Sequence, residues 1–202
     1  MYSDKFKTIF VHIPKTGGQS IEHVFLAEHG LTWKTRAALL LRASEDEEQG
    51  PKRLAHLFAR EYVPYGYVTA SDFAASFKFA VVRNPYDRAV SRYRFKHGAK
   101  RSFRDYVTAL ERETLPRHDE RQSDFVLDES GNMIVDTIIR FESLGPDFAA
   151  LSQQIFGRRI ELPHENKSKA EIPAEADDPE LRRILYRKYE RDFDLFQYPR
   201  GF

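Results

Sequence analysis

Residues His12 to Ser20 read HIPKTGGQS. A lysine, a threonine and two glycines lie directly after an apolar run and directly before a helix pattern. Glycine lets backbone N–H groups approach an anion, a helix N-terminus adds partial positive charge, and Lys15 adds a full one. The order is not the GxxxxGK[ST] of nucleoside triphosphatases, in which the lysine follows the glycines; here it precedes Gly17 and Gly18. Taken alone, the segment fits either an anion loop or a glycine-containing turn with a solvated lysine.

A second group of chemistry-bearing residues lies in Phe79 to Tyr93, FAVVRNPYDRAVSRY. Arg83 ends an apolar run, where a guanidinium could grip a phosphate bidentately, with the Ser91 hydroxyl as a further contact. Seven Lys/Arg and one acid, Asp87, stand between Arg83 and Arg101. Tyr86, Ala89, Val90 and Tyr93 have the spacing of a core-facing helix stripe. Ser91 and Arg94 fall beside that stripe. Arg88 and Arg92 are expected on the surface, and Arg88, Lys96 and Lys100 read as solvated charges.

The elements that must position these residues follow from periodicity. Thr8 to Ile13, Phe77 to Val82 and Val135 to Phe141 read as strands. Ser20 to His29, Lys34 to Ala43, Lys52 to Tyr62, the stretch opened by Asn84 and Pro85, Phe103 to Leu110, Leu144 to Phe156 and Pro179 to Asp192 read as helices, with Gly30 and Gly157 as stops. Glu111 to Gly131 and Leu162 to Pro179 read as polar connections. Apolar strands alternating with helices predict an α/β fold: a three-layer αβα arrangement around a mainly parallel sheet. Ligands of such sheets bind beyond the C-terminal strand ends, which are the turns after Ile13 and after Val82.

As a pair, the two segments resemble the cofactor signatures of the sulfotransferase superfamily, in the branch of bacterial sulfotransferases and carbohydrate O-sulfotransferases. HIPKTGGQS resembles the 5′-phosphosulfate loop and VVRNPYDRAVSRY the 3′-phosphate motif. VDTIIRFESL (Val135 to Leu144), HENKS (His164 to Ser168) and YRKYERDFDLFQY (Tyr186 to Tyr198) follow in the expected order, so the resemblance covers nearly the whole chain. Gln19 departs from it, standing where the family loop often has Thr or Ser. The resemblance implies a P-loop-NTPase-like fold in a single domain over residues 1–202. It implies transfer of a sulfuryl group from 3′-phosphoadenosine 5′-phosphosulfate (PAPS) to an acceptor hydroxyl or amine. Carried over by position, Lys15, Thr16, Gly17, Gly18, Gln19 and Ser20 wrap the 5′-phosphosulfate, and Arg83 and Ser91 hold the 3′-phosphate. Asn166, Lys167 and Ser168 match a loop that closes over the cofactor, and fit an ordinary polar linker equally well.

In-line sulfuryl transfer places growing charge on the leaving phosphate oxygen, which Lys15 and the loop N–H groups suit. A general base must take the acceptor proton, and histidine has the right range. His56, in KRLAHLFARE between the two motifs, is the first candidate. On an ideal helix it lies opposite Leu54, Leu57, Phe58 and Tyr62, either lining an acceptor cleft or facing water. Glu61 and His164 are its rivals. His12 reads as a packed strand residue, and His23, His29, His97 and His118 as surface. The acceptor segments are expected in Trp33 to Tyr65 and Lys100 to Asn132, for a carbohydrate or small-molecule hydroxyl.

Composition removes other classes. With 202 residues, 41% of them hydrophobic, the chain can build its own core, and with no cysteine a disulfide scaffold, thiolate metal site or Cys nucleophile is excluded. The seven histidines show no HxxxH or HxH spacing, so no metal site is expected. A net charge of +1 argues against a nucleic-acid binder. No apolar stretch is long enough for a membrane span and no signal peptide is evident, so a cytoplasmic protein is expected. Two other functions share the predicted fold: a small-molecule kinase with an altered P-loop, and a non-catalytic nucleotide- or glycan-binding module.

Overall fold

The computed structural model of the chain describes residues 1–46, 50–96, 100–112, 116–162 and 172–201. Strands form where β-branched and aromatic residues run together: β1 (Tyr2–Ser3), β2 (Thr8–Val11), β3 (Phe77–Val82) and β4 (Thr137–Arg140). They pair in the order β1-β2-β3-β4, antiparallel for the first pair and parallel for the other two. The register sets Phe10 beside Phe79 and Val81 beside Ile139 on one face. Ile9, Val11, Ala80 and Val82 alternate onto the other face, and all four are fully buried. Burial on both faces is what a parallel sheet requires.

Seven helices accompany these strands among the described residues: α1 (Gly18–Glu28), α2 (Ala70–Ala75), α3 (Pro85–Lys96), α4 (Phe103–Arg112), α5 (Gln122–Val126), α6 (Leu144–Phe156) and α7 (Pro179–Leu195). The result is the expected mixed α/β architecture, with a four-stranded, mainly parallel central sheet flanked by helices. None of the described helices is long and apolar enough to cross a membrane.

The chain groups into two compact units. The first comprises Met1–Val82 and Asp124–Glu165. Its core joins Phe10, Phe79, Val81 and Ile139 of the sheet to Ile21, Val24 and Phe25 of α1 and Phe148 and Leu151 of α6. The second comprises Arg83–Ser123 and Asn166–Phe202. There α7 packs on α3 and α4. The Tyr86 ring meets Phe193 at 4.8 Å, and Tyr93 meets Phe103 at 5.2 Å.

Three expected elements differ. Lys34 to Ala43 holds only a 3-10 turn, Arg36–Leu39, closed by Leu40 in the left-handed region (φ 60°). Lys52 to Tyr62 is not a helix but two 3-10 turns, Leu54–His56 and Ala59–Glu61, separated by extended Leu57 and Phe58. Its start is drawn instead into antiparallel pairing, with Ala43 opposite Arg53. Leu54, Leu57 and Tyr62 are fully buried all the same. Their apolar character carries the burial, and the period does not. The polar stretch Glu111 to Gly131 contains α5, too short to show a period, with Phe125 and Val126 fully buried.

Candidate active site

The turn after β2 is built for close approach. Lys15 (φ 71°) and Gly17 (φ 82°) both take the left-handed conformation, at either side of Thr16. Such residues turn backbone N–H groups toward a common centre and form anion-binding concavities. A lysine held there is strained, and strain of this kind gathers at functional sites. Thr16 is fully buried and its hydroxyl donates to the Ile13 carbonyl at 2.8 Å, which ties the loop back to the strand end. Gly17 occupies the N-cap of α1 and has no side chain with which to cap the first helical N–H groups. A Cβ at Gly17 would stand 2.9 Å from Leu144 Cδ2, and one at Gly18 would stand 2.3 Å from His12 Cδ2. Neither position admits a side chain without displacement of its neighbours. Lys15 and Ser20 are half-buried, and Gln19 is exposed.

Beneath the loop lies a buried hydrogen-bonded pair. His12, 8% exposed, donates from Nδ1 to Glu22 Oε1 at 2.5 Å. Burial alone would raise the Glu22 carboxyl, but the charge and hydrogen bond of His12 outweigh it and hold that carboxyl below its usual range. The His12 ring also stacks on Phe10, with centroids 5.4 Å apart.

His56 meets this arrangement from the first 3-10 turn of the Lys52 to Tyr62 segment. Its Nδ1 lies 3.0 Å from the His12 carbonyl, and the two imidazole centroids are 4.7 Å apart, edge to face. A carbonyl only accepts, so Nδ1 carries a proton; in the neutral ring the lone pair is then on Nε2. His56 is half-buried and stands on a 3-10 turn rather than on the longer helix expected for the segment. Glu61 is committed elsewhere: buried, its carboxylate accepts from the Phe58 N–H at 2.8 Å and closes the second 3-10 turn. Arg60 donates to the Asp124 and Leu127 carbonyls at 2.7 and 3.2 Å, a structural role within the segment expected to meet the acceptor.

In the second unit, Arg83 is half-buried and directly follows the last residue of β3 in the chain. Asn84 caps α3 as its sequence predicts, with Oδ1 accepting from the Tyr86 N–H at 3.0 Å. Ser91 is half-buried on α3. Arg88 and Arg92 are not surface residues: each is 3% exposed. Arg88 donates to the Glu120 and His118 carbonyls at 2.9 and 3.2 Å. Arg92 Nε donates to Asp119 Oδ1 at 3.2 Å, the same oxygen that accepts from the Tyr106 hydroxyl at 2.8 Å. These arginines leave the expected exposed positions because buried carbonyls and a buried carboxylate receive their donors.

The sequence profile described as the sulfotransferase family matches residues 1–199. The chain belongs to the sulfotransferase family. The match runs through both units, and it assigns the chain to enzymes of sulfuryl transfer. Neither the curated proteins nor the solved structures compared with the chain hold a significant match.

In this sulfotransferase the first unit brings together Lys15, Thr16 and Gly17 of one loop and Gly18, Gln19 and Ser20 of the first turn of α1, with His56 against the carbonyl of His12 that leads into the loop. Arg83 and Ser91 share the second unit. Asn166, Lys167 and Ser168 lie outside the described residues, as do His164 and His97. His23, His29 and His118, expected at the surface, are half-buried: His23 meets Trp33 edge-on at 5.0 Å and His29 Nε2 lies 2.8 Å from the Ser3 hydroxyl. No group of three or more His, Asp or Glu side chains poised for a metal ion occurs among the described residues. Glu22 and Gln122 carry no signal in the sequence, because their partners, His12 and Arg83, are brought to them only by the fold.

Proposed function

We propose that this sulfotransferase moves the sulfuryl group of PAPS onto an acceptor hydroxyl, of a carbohydrate or a small metabolite, as a single domain. The observation that carries the reading is the left-handed, lysine-bearing loop at the uncapped start of α1, with His56 hydrogen-bonded to the carbonyl of His12 at its base. PAPS supplies a sulfuryl group on a phosphate leaving group. The loop N–H groups and Lys15 bind the 5′-phosphosulfate and neutralise charge that grows on the bridging oxygen as the S–O bond breaks. A preorganised donor in that position contributes about 10²–10³ in rate. His56 Nε2 takes the proton from the attacking hydroxyl, a role worth roughly 10²–10⁴. Arg83 and Ser91 hold the 3′-phosphate, which separates PAPS from ATP. The family match over residues 1–199 supports one catalytic domain that spans both units.

The test is incubation with PAPS and a panel of glycans and hydroxylated metabolites, followed by mass spectrometry. A product heavier by one sulfuryl group, formed together with adenosine 3′,5′-bisphosphate and lost in Lys15→Ala, is the expected result. A phosphorylated product from ATP in the same panel would instead favour the kinase reading.

A further inference from the structure

Gln122 is fully buried at the start of α5, inside a stretch whose sequence reads as a polar connection. Both ends of its side-chain amide bond to one residue. Oε1 accepts from the Arg83 N–H at 2.9 Å, and Nε2 donates to the Arg83 carbonyl at 2.8 Å. The amide thus pairs with the Arg83 main chain as a neighbouring strand would, one residue beyond Val82, where the β3–β4 ladder has its last pair. Gln122 is itself held. The carboxylate of Asp192, on α7 and fully buried, accepts from the Gln122 N–H at 2.7 Å and from the Ser123 N–H at 2.8 Å. It caps the first turn of α5 from a residue seventy positions away in sequence.

We propose that Gln122 is a positioning residue for Arg83: anchored by Asp192, it fixes the main chain from which the guanidinium reaches the 3′-phosphate of the nucleotide. The inference rests on the assignment of the 3′-phosphate to Arg83 made above. Hydrogen bonds on both sides of one Cα constrain φ and ψ together, and so the direction in which Cβ leaves the chain. A neutral amide of this length offers, whatever the pH, both the acceptor and the donor that the Arg83 N–H and carbonyl need. A glutamate keeps the acceptor and loses the donor, and a methionine loses both. A binding group gains most when its supporting contacts are already made before the ligand arrives.

The experiment compares dissociation constants for adenosine 3′,5′-bisphosphate and adenosine 5′-monophosphate, measured by calorimetry on the full chain. The monophosphate constant divided by the bisphosphate constant isolates the contribution of the 3′-phosphate. Arg83→Ala is expected to lower the ratio about ten- to a hundredfold, the loss of a charge-assisted hydrogen-bonding partner. Gln122→Met is expected to lower it about tenfold, to leave the affinity for the monophosphate within about twofold, and to cause no further fall when added to Arg83→Ala. If Gln122→Met does not give a cooperative melting transition, Gln122→Glu is measured by the same ratio and is expected to show a smaller fall. A Gln122 variant that weakens both nucleotides equally, or that leaves the ratio intact while Arg83→Ala collapses it, overturns the positioning role. A ratio unmoved by Arg83→Ala overturns the 3′-phosphate assignment itself, and the two failures are told apart by that single variant.

Discussion

Lys15 and His56 are expected to do different work, and pH separates them. In the proposed mechanism, Lys15→Ala removes the cation beside the breaking bond and His56→Ala removes the proton acceptor. Each variant should bind adenosine 3′,5′-bisphosphate, because Arg83 and the loop backbone remain, and each should lose about two orders of magnitude or more in turnover. The Lys15→Ala rate should still rise from acid pH, since an imidazole must be neutral to accept a proton. His56→Ala should lose that rise. Near-normal turnover of His56→Ala with an unchanged pH profile would move the base elsewhere. At this scale the sequence is legible where chemistry is local. The lysine and paired glycines declare the loop, and His56 stands out by its type and its place between two motifs. Its contact with His12 joins residues 44 apart and needs the fold. Arg88 and Arg92 mislead for the same reason, because the carbonyls and the carboxylate that bury them come from residues 27 to 32 positions away.

At the scale of elements, the His12–Glu22 pair joins the end of β2 to the second turn of α1, and Gly18 rests against the His12 ring. The start of α1, and with it the loop, is therefore fixed by a polar contact inside the core. Breaking a buried pair by removing one partner costs about 3–5 kcal/mol, so Glu22→Ala should lower the melting temperature by many degrees. Glu22→Gln, which keeps an acceptor, should cost less. The sign of the pH effect follows from the depressed Glu22 carboxyl, whose unfolded value is near 4.5. Its stabilisation is present above that value and is lost as pH falls through the folded one. Melting temperatures taken down through pH 4 should fall more steeply for the native protein than for Glu22→Gln. Parallel slopes would show that the carboxylate charge contributes nothing. β2, β3, β4 and α6 are legible because continuous apolar runs and a glycine stop fix them locally, whereas the two-residue β1 is too short to show a pattern. The Lys52 to Tyr62 segment keeps its buried residues but not its helix, because pairing of Ala43 with Arg53 and two extended residues override the periodic pattern. The five-residue α5 has no sequence signal of its own, since its first N–H groups are capped from α7.

For the whole molecule, the family match over residues 1–199 and the mixed α/β architecture agree on a sulfuryl-transfer enzyme, and the donor nucleotide is the claim on which the remaining roles depend. A ligand that binds only the folded state at a hundred times its dissociation constant adds about 2.7 kcal/mol. For a domain of this length that is a rise of several degrees in melting temperature. The most direct measurement is therefore the thermal shift of the native chain with adenosine 3′,5′-bisphosphate beside that with ATP and magnesium. A shift of several degrees with the bisphosphate and a clearly smaller one with ATP is the expected result. An equal shift with ATP, or none with the bisphosphate, would contradict the assignment of PAPS as the sulfuryl donor.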